Sequence, residues 1–446
     1  MHAILSVFSL LLGVAVILAG NGLLGTLLGV RGQLEAMSAG VLGLVMAAYF
    51  AGFMLGTFWI PRLIRRIGHI RVFATMASMA SVVTLLHGLY VDAALWFVLR
   101  IVSGICVVGL YISIESWLNA QTSNEQRGHV FSAYMTTTLV GLGIGQLLLI
   151  TGDARQLELF ALASVLLSLG LVPVATTRVI EPVLPEAQRL GLRRLYAISP
   201  LGVVGCVFSG LGAGSFWGLG PVFASAVGLG KDGVAAFMSL TILGGILMMW
   251  PVGRLSDRFE RRRVLTAVCA LAATGAALTA VLVELDSKFV MLGGLCYGAF
   301  GFSIYALSAA HTNDQLESEH MLEVTSSLQL LWAAGAIVGP IVAGFLMQRF
   351  GPEALMMFMA SSALVPALFA VWRMRVRDSI PVAEQGEFVP QFATSPAVLE
   401  MLPDAEAADQ DDPLPGDDLD LPMNADAEVE EDAEDADRTS RADGST

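Results

Sequence analysis

Charge is scarce in this sequence. Only 14% of the 446 residues are charged, against roughly a quarter in soluble proteins, which excludes an ordinary water-soluble fold. Cysteine is scarcer still. Cys106, Cys206, Cys269 and Cys296 stand far apart in apolar runs, with no C-x-x-C or Cys/His spacing. They read as small buried apolar residues rather than metal or redox ligands. No G-x-x-x-x-G-K-S/T stretch is present, which disfavours an ATP-driven pump. No H-E-x-x-H or paired-carboxylate motif lies in the apolar runs, which disfavours a membrane-embedded enzyme, and neither a metal nor another cofactor is expected. Nothing in the charge pattern suggests nucleic-acid binding.

What the chain does have is apolar residues, 55% of the total, in runs long enough for helices to cross a bilayer core of about 30 Å. Runs and polar breaks predict an all-α polytopic membrane protein with twelve spans. In the first half these are 4–30, 37–60, 71–91, 93–118, 130–151 and 157–177. In the second they are 200–229, 233–253, 264–284, 288–311, 323–348 and 353–374. The first run is too long for a signal-peptide core and lacks a charged region before it, so it is expected to stay as span 1. The expected domains are a six-helix bundle (1–177), a cytoplasmic linker (178–199), a second six-helix bundle (200–377) and a tail (378–446).

Arginine and lysine set the orientation. Breaks after even-numbered spans, with the start of the tail, hold 17 of them; breaks after odd-numbered spans hold five. The asymmetry puts both termini in the cytoplasm of a multi-pass cell-membrane protein. The formal charge of −14 is a tail property: residues 378–446 carry 21 acidic side chains against Arg438 and Arg441, a net of −19, and the rest of the chain nets +5. An acidic, Pro-containing segment almost free of aromatics reads as a disordered, solvated tail.

The halves resemble each other at a steady offset. Adding 192 takes Gly20, Gly22 and Gly52 to Gly212, Gly214 and Gly244. Adding 194 takes Tyr111 to Tyr305, Asn119 to Asn313, and Gly141 and Gly145 to Gly335 and Gly339. Such order argues for duplicated six-helix units. It also settles "GNGLLG" (Gly20 to Gly25), which fits the dinucleotide fingerprint G-x-G-x-x-G. That fingerprint must follow a strand and open a helix, whereas these glycines lie inside one apolar run. Small residues there serve close helix packing.

Twelve spans in two related halves, with basic breaks after spans 2 and 8, resemble the major facilitator superfamily. Its signature G-x-x-x-D-R/K-x-G-R/K-R/K is matched at the end of span 8 by "GRLSDRFERR", with Gly253, Asp257, Arg258, Arg261 and Arg262; Glu260 departs from it. In the first half, "PRLIRRIGHIR" keeps Arg66 and Gly68 but has Pro61 and Arg65 where glycine and aspartate are usual. "RIVSG" (Arg100 to Gly104) is similar to the R-x-x-x-G element of proton-linked members. "GAIVGPIVAG" (Gly335 to Gly344) looks like the G-x-x-x-G-P element that antiporters carry on span 5, here on span 11. "NGLLGTLLGVR" and "ISIESWLNAQ" look like the YcaD-like branch of the superfamily. The resemblance implies alternating access by two pseudo-symmetric bundles.

Ionisable groups at membrane depth are costly and mark candidate sites. On span 4, Arg100, Tyr111 and Glu115 share one helical stripe with Ser103, Gly104 and Val107. Arg100 is a candidate for binding an anionic group or answering a protonating partner, and Glu115 for carrying a proton. Asn21, Gln146, Trp217, Tyr297, Tyr305, Gln329 and Trp332 complete the expected cavity, suited to a polar or amphipathic organic solute. Each has a structural alternative as helix-packing glue.

The resemblance also implies contacts between loops of the two halves. Asp257 and its neighbours Arg258 and Arg261 would face the start of span 5 near Arg127. Arg65 and Arg66 would face the start of span 11, where Asp314, Glu317, Glu319 and Glu323 stand without a nearby Lys or Arg. Two charge-complementary latches would then close the cytoplasmic gate. The expected function is secondary active transport of a small organic solute, with proton-exchange efflux favoured. Uptake by the same fold, or a non-transporting sensor or scaffold acting through the tail, are the alternatives. The expected partners are a solute, protons and the bilayer, around a monomer.

Overall fold

The computed structural model describes residues 2–123, 126–176, 191–283, 287–316 and 321–376, with 381, 382, 385, 386, 388 and 389. Met1–Ala408 form one compact unit, which holds all of these; Asp409–Thr446 form a second, outside the described residues.

Among the described residues every regular element is helical, and twelve helices are long and apolar enough to cross a membrane. Spans 1 to 6 are Val7–Leu34, Ala39–Ile67, His69–Leu89, Ala93–Gln121, Arg127–Thr151 and Glu158–Ala175. Spans 7 to 12 are Pro200–Ala226, Lys231–Arg258, Arg261–Leu282, Phe289–Asn313, Glu323–Phe350 and Ala354–Val376. Each coincides with an expected run. The ends differ most at spans 2 and 8, which continue to Ile67 and Arg258. Arg62 therefore stands within the helix, and Arg65, Arg66, Asp257 and Arg258 on helical last turns, rather than in loops. Cations suit a helix's last turn, where carbonyls lack helical partners, and Arg65, Arg66 and Arg258 stand there. The expected linker is partly helical, since Leu192–Ile198 form a short helix with Leu195 buried. Residues 177–190 and 390–446, with most of the tail, lie outside the described residues.

The repeat shows in how helices cross. Spans 2 and 4 meet backbone to backbone at Gly52 and Gly104. A Cβ on Gly104 would lie 2.6 Å from Phe53 N and 3.0 Å from the Gly52 carbonyl carbon. Spans 8 and 10 meet the same way at Gly244 and Gly298, where a Cβ on Gly244 would lie 2.9 Å from Ala299 N. Gly141 and Gly145 fit span 5 against span 1 at Ala15 and Ala19, and Gly335 and Gly339 fit span 11 against span 7 at Val207 and Leu211. The "GNGLLG" glycines do similar work: Gly20 abuts Ala163 O of span 6 and Gly22 abuts Leu142 O of span 5.

The two ends of the molecule differ. At the end opposite the arginine-rich turns, one apolar core runs through both halves, from Leu23, Leu27 and Met46 to Phe216, Leu219 and Val222, and it continues down the second half to Val252, Leu265 and Phe388. At the arginine-rich end the cores separate, one around Leu10, Phe73 and Trp117 and another around Leu195, Val203 and Leu328.

Candidate functional site

Spans 1, 2, 4 and 5 of the first half and spans 7, 10 and 11 of the second enclose a cavity of about 160 Å³. It sits at mid-span depth, between the halves. Its first-half wall holds Asn21, Tyr49, Phe53, Arg100 and Tyr111; its second-half wall holds Ser209, Trp217, Phe302, Tyr305 and Trp332. Phe50 and Trp332 meet edge to face across the two halves at 6.2 Å.

The Gly52–Gly104 crossing makes the Arg100 environment. With no side chain between the backbones, span 2 lies close enough to set the Tyr49 ring against Arg100. The guanidinium carbon stands 4.3 Å from the ring centroid, and Asn21 bonds the Tyr49 hydroxyl. This is a physical account of the R-x-x-x-G element: the glycine, one turn below, delivers the aromatic face. Arg100 is 5% exposed, its Nε is buried without a hydrogen-bond partner, and no ion pair reaches it among the described residues. It is the one Asp, Glu, Lys, Arg or His on the cavity wall.

The second wall is aromatic. Trp217 and Phe302 stack with centroids 5.8 Å apart and planes 6° apart, and Tyr305 meets Trp332 at 6.3 Å. Phe302 lines the cavity at the one-residue break of span 10 between Ser287–Gly301 and Ser303–Asn313.

Seven of the ten expected pathway residues line this cavity: Asn21, Arg100, Tyr111, Gln146, Trp217, Tyr305 and Trp332. The structure sets the other three behind the wall. Glu115 is fully buried and accepts a hydrogen bond from the Tyr134 hydroxyl at 2.6 Å, because span 5 covers span 4 below Tyr111. Tyr297 packs on Phe216, 6.3 Å between centroids. Gln329 is buried in span 11 away from the cavity lining. Gln146 lines the cavity, but its amide is engaged in joining spans 1 and 5. It accepts from Thr26 Oγ1 and donates to Gly22 O at 3.2 Å. Tyr49, Phe50, Phe53 and Phe302 were not expected. A phenol in mid-span, within "AAYFAGF", was the available signal for Tyr49.

The end opposite the arginines is sealed across the halves. Gly43 lies against the Pro340 carbonyl, and a Cβ on Gly344 would lie 3.1 Å from Gly43 Cα, which gives the span 11 glycine-proline element a packing role. Lys231 Nζ donates to Ile150 O at 3.1 Å and Gly152 O at 3.0 Å.

At the arginine-rich end Arg65 and Arg66 are exposed, Arg127 is buried and Arg258 is exposed. Glu317 and Glu319 lie outside the described residues, and Glu323 opens span 11. Asp257 stands 3.6 Å from Arg261 and accepts from the Phe388 backbone N–H at 2.8 Å. Arg261 is buried; it pairs with Asp314 and donates to Gly386 O at 2.7 Å, while Gly386 N donates to Asp314 at 3.1 Å. Burial pushes the Asp314 carboxyl above its ordinary value, against the pull of Arg261. Phe388 is 7% exposed and covers Gly253. The first part of the expected solvated tail is thus packed on the protein where an aromatic residue interrupts its acidity.

Twelve spans in two related halves, a cavity where the halves meet, and a seal at one end define a membrane transporter of the secondary type. The sequence model of the Major Facilitator Superfamily matches residues 6–305 and 202–403, and the chain belongs to that superfamily. Its fold and relatives are those of transporters, not enzymes. An uncharacterized MFS-type transporter, YcaD, from Escherichia coli (strain SMS-3-5 / SECEC) is 27% identical over 80% of this chain and 93% of its own length. YcaD from Shigella flexneri is similar to the same extent. Among solved structures, the nucleoside transporter NupG aligns with a TM-score of 0.64 at 14% identity, covering 83% of this chain and 100% of that one. A D-xylose–proton symporter aligns at 0.64 and 15%, covering 83% and 97%. A bacterial homolog of the human lysosomal transporter Spinster, inward-facing and occupied, aligns at 0.66 and 15%, covering 84% and 97%. At these identities the likeness is one of fold.

Proposed function

We propose that the protein moves a small organic solute across the cell membrane by alternating access, with both termini in the cytoplasm and proton exchange driving efflux. The observation that carries this reading is the cavity between the halves, sealed at the arginine-poor end and bordered by separate cores at the arginine-rich end. The arginine asymmetry makes the arginine-rich end cytoplasmic, so the structure corresponds to a cytoplasm-facing state.

Glu115 is the proposed proton carrier. It is the only Asp or Glu buried within a span among the described residues, and an ionisable group at that depth is costly unless it has a role. The latches Asp257–Arg127 and Arg65–Glu323, the latter with Glu317 and Glu319, would form as the cytoplasmic end closes. Asp257 is engaged in the present state by Arg261 and by Phe388 N. The proposed working unit is a monomer.

The test begins with metabolite profiling of cells lacking and overproducing the protein. Uptake of the leading solute into proteoliposomes follows, with and without a pH gradient. Flux that responds to the gradient in the wild type, and not in Glu115→Gln, is expected. Flux indifferent to the gradient would remove the proton coupling, and no flux of any profiled solute would remove transport.

A further inference from the structure

We propose that the transported solute is an organic anion with a flat apolar body, whose carboxylate pairs with Arg100. This deepens the transporter reading and rests on it. The argument is one of charge balance. Arg100 is buried at membrane depth, carries a positive charge, and has the face of Tyr49 beside it and another basic group, His87, within electrostatic reach, but no anion among the described residues. Taking such a cation from water is costly unless an anion and hydrogen bonds compensate it. Among the described residues no carboxylate supplies that compensation: Glu115 is bonded to Tyr134, away from the cavity lining. The guanidinium lies on the wall of the cavity between the halves, which has room for a ligand beside it.

A neutral or cationic solute would leave the charge unpaired. A carboxylate would complete it, as guanidinium geometry suits. The opposite wall selects the rest of the molecule. Trp217 and Phe302 present parallel rings, with Tyr305 and Trp332 beside them, and no charge. Such surfaces favour flat, aromatic or amphipathic bodies over polyhydroxylated ones.

The test uses the full-length protein in nanodiscs with matched acid and amide probes: benzoate and benzamide, phenylacetate and phenylacetamide, indole-3-acetate and indole-3-acetamide. Binding is read as ligand-induced thermal stabilisation. At least one acid is expected to bind about thirtyfold or more tighter than its amide, a preference lost in Arg100→Gln and partly kept in Arg100→Lys. Equal binding of acid and amide, no binding by any acid, or an unchanged preference in Arg100→Gln would overturn the proposal. The Lys variant separates lost charge from lost folding. Proteoliposome flux distinguishes the two layers. An acid that binds but is not moved would defeat the transport reading alone, whereas flux of a neutral solute would defeat the anion proposal alone.

Independently, we infer that Gly386, Phe388 and Val389 act as a wedge holding the arginine-rich end open. Gly386 is bonded from both sides, by Arg261 and Asp314, and Phe388 N is held by Asp257. Phe388 covers Gly253 of span 8, while Val389 packs on the separate core of the first half. The segment therefore touches both halves at the end where their cores part, and it occupies the aspartate that the latch reading needs for closure. Spin labels on Arg71→Cys and Phe259→Cys, both exposed positions, report the width of that end. Phe388→Ser and, separately, Gly386→Pro are expected to add a shorter-distance population. An unchanged or longer distribution in both variants would overturn the wedge. A loss of labelled, monodisperse protein in one variant is judged by the other.

Discussion

Spans 4 and 10 occupy equivalent places in the two halves and have diverged in an instructive way. At the offset of 194, Gly104 matches Gly298 and Tyr111 matches Tyr305, while Arg100 matches Gly294 and Glu115 matches Ala309. What packs the helices has been kept on both sides. What carries charge exists only in the first half. Tyr49, which faces Arg100, matches Thr241 at the offset of 192, and Thr241 lies beside Gly294. The cavity thus has a charged wall and an aromatic wall built on one duplicated frame. Symmetry serves the hinge-like crossing of helices, and asymmetry serves recognition.

The largest expected effect breaks the shared frame. Gly104→Val and Gly298→Val should each abolish most of the folded, monodisperse protein in detergent, since both would drive a side chain into the partner backbone. If one were tolerated, the two crossings would not be equivalent. Next comes the charged wall. Arg100→Gln should lower kcat/KM for the anionic solute about thirtyfold or more, equal to about 2 kcal/mol. The aromatic wall should behave differently: Trp332→Ala should raise KM about tenfold for acid and amide alike, leaving the preference between them intact. A preference that moved with Trp332 would blur the division of labour.

Smaller effects belong to the arginine-rich end. Asp257→Arg should slow flux up to about fivefold, and adding Arg127→Asp should partly restore it, because a half-exposed pair is worth about 1 kcal/mol at most. Unchanged flux in the single variant would sink the latch. The smallest effect is expected from truncation after Ala408, which should leave flux as it was. Lost function with preserved folding would favour a scaffold working through the acidic tail.

Much of the fold was legible because each long apolar run has only one way to satisfy its backbone in lipid, as a helix. The offset glycines even located the helix crossings. Which face of each helix meets the cavity was less legible. Lipid and protein interior are both apolar, so a span buried on one side and lipid-facing on the other shows little periodicity. Trp59 and Trp250 are exposed on the outer surface, while Trp217 and Trp332 line the cavity, and nothing in their local sequence separates them. Glu115 was read from its stripe with Arg100. The stripe is real, but span 5 covers its lower end, a tertiary fact that helical periodicity does not encode. Phe388 was hidden by its setting, one of two aromatics in an acidic tail.

Alternating access itself is tested most directly by measuring both ends of one molecule at once. Spin-label distances between Arg71→Cys and Phe259→Cys report the arginine-rich end, and those between Tyr90→Cys and Phe350→Cys report the sealed end; all four positions are exposed. Recorded in nanodiscs with and without a transported solute, the two distributions should shift in opposite senses, one end closing as the other opens. Ends that stay fixed, or that open and close together, would contradict the account.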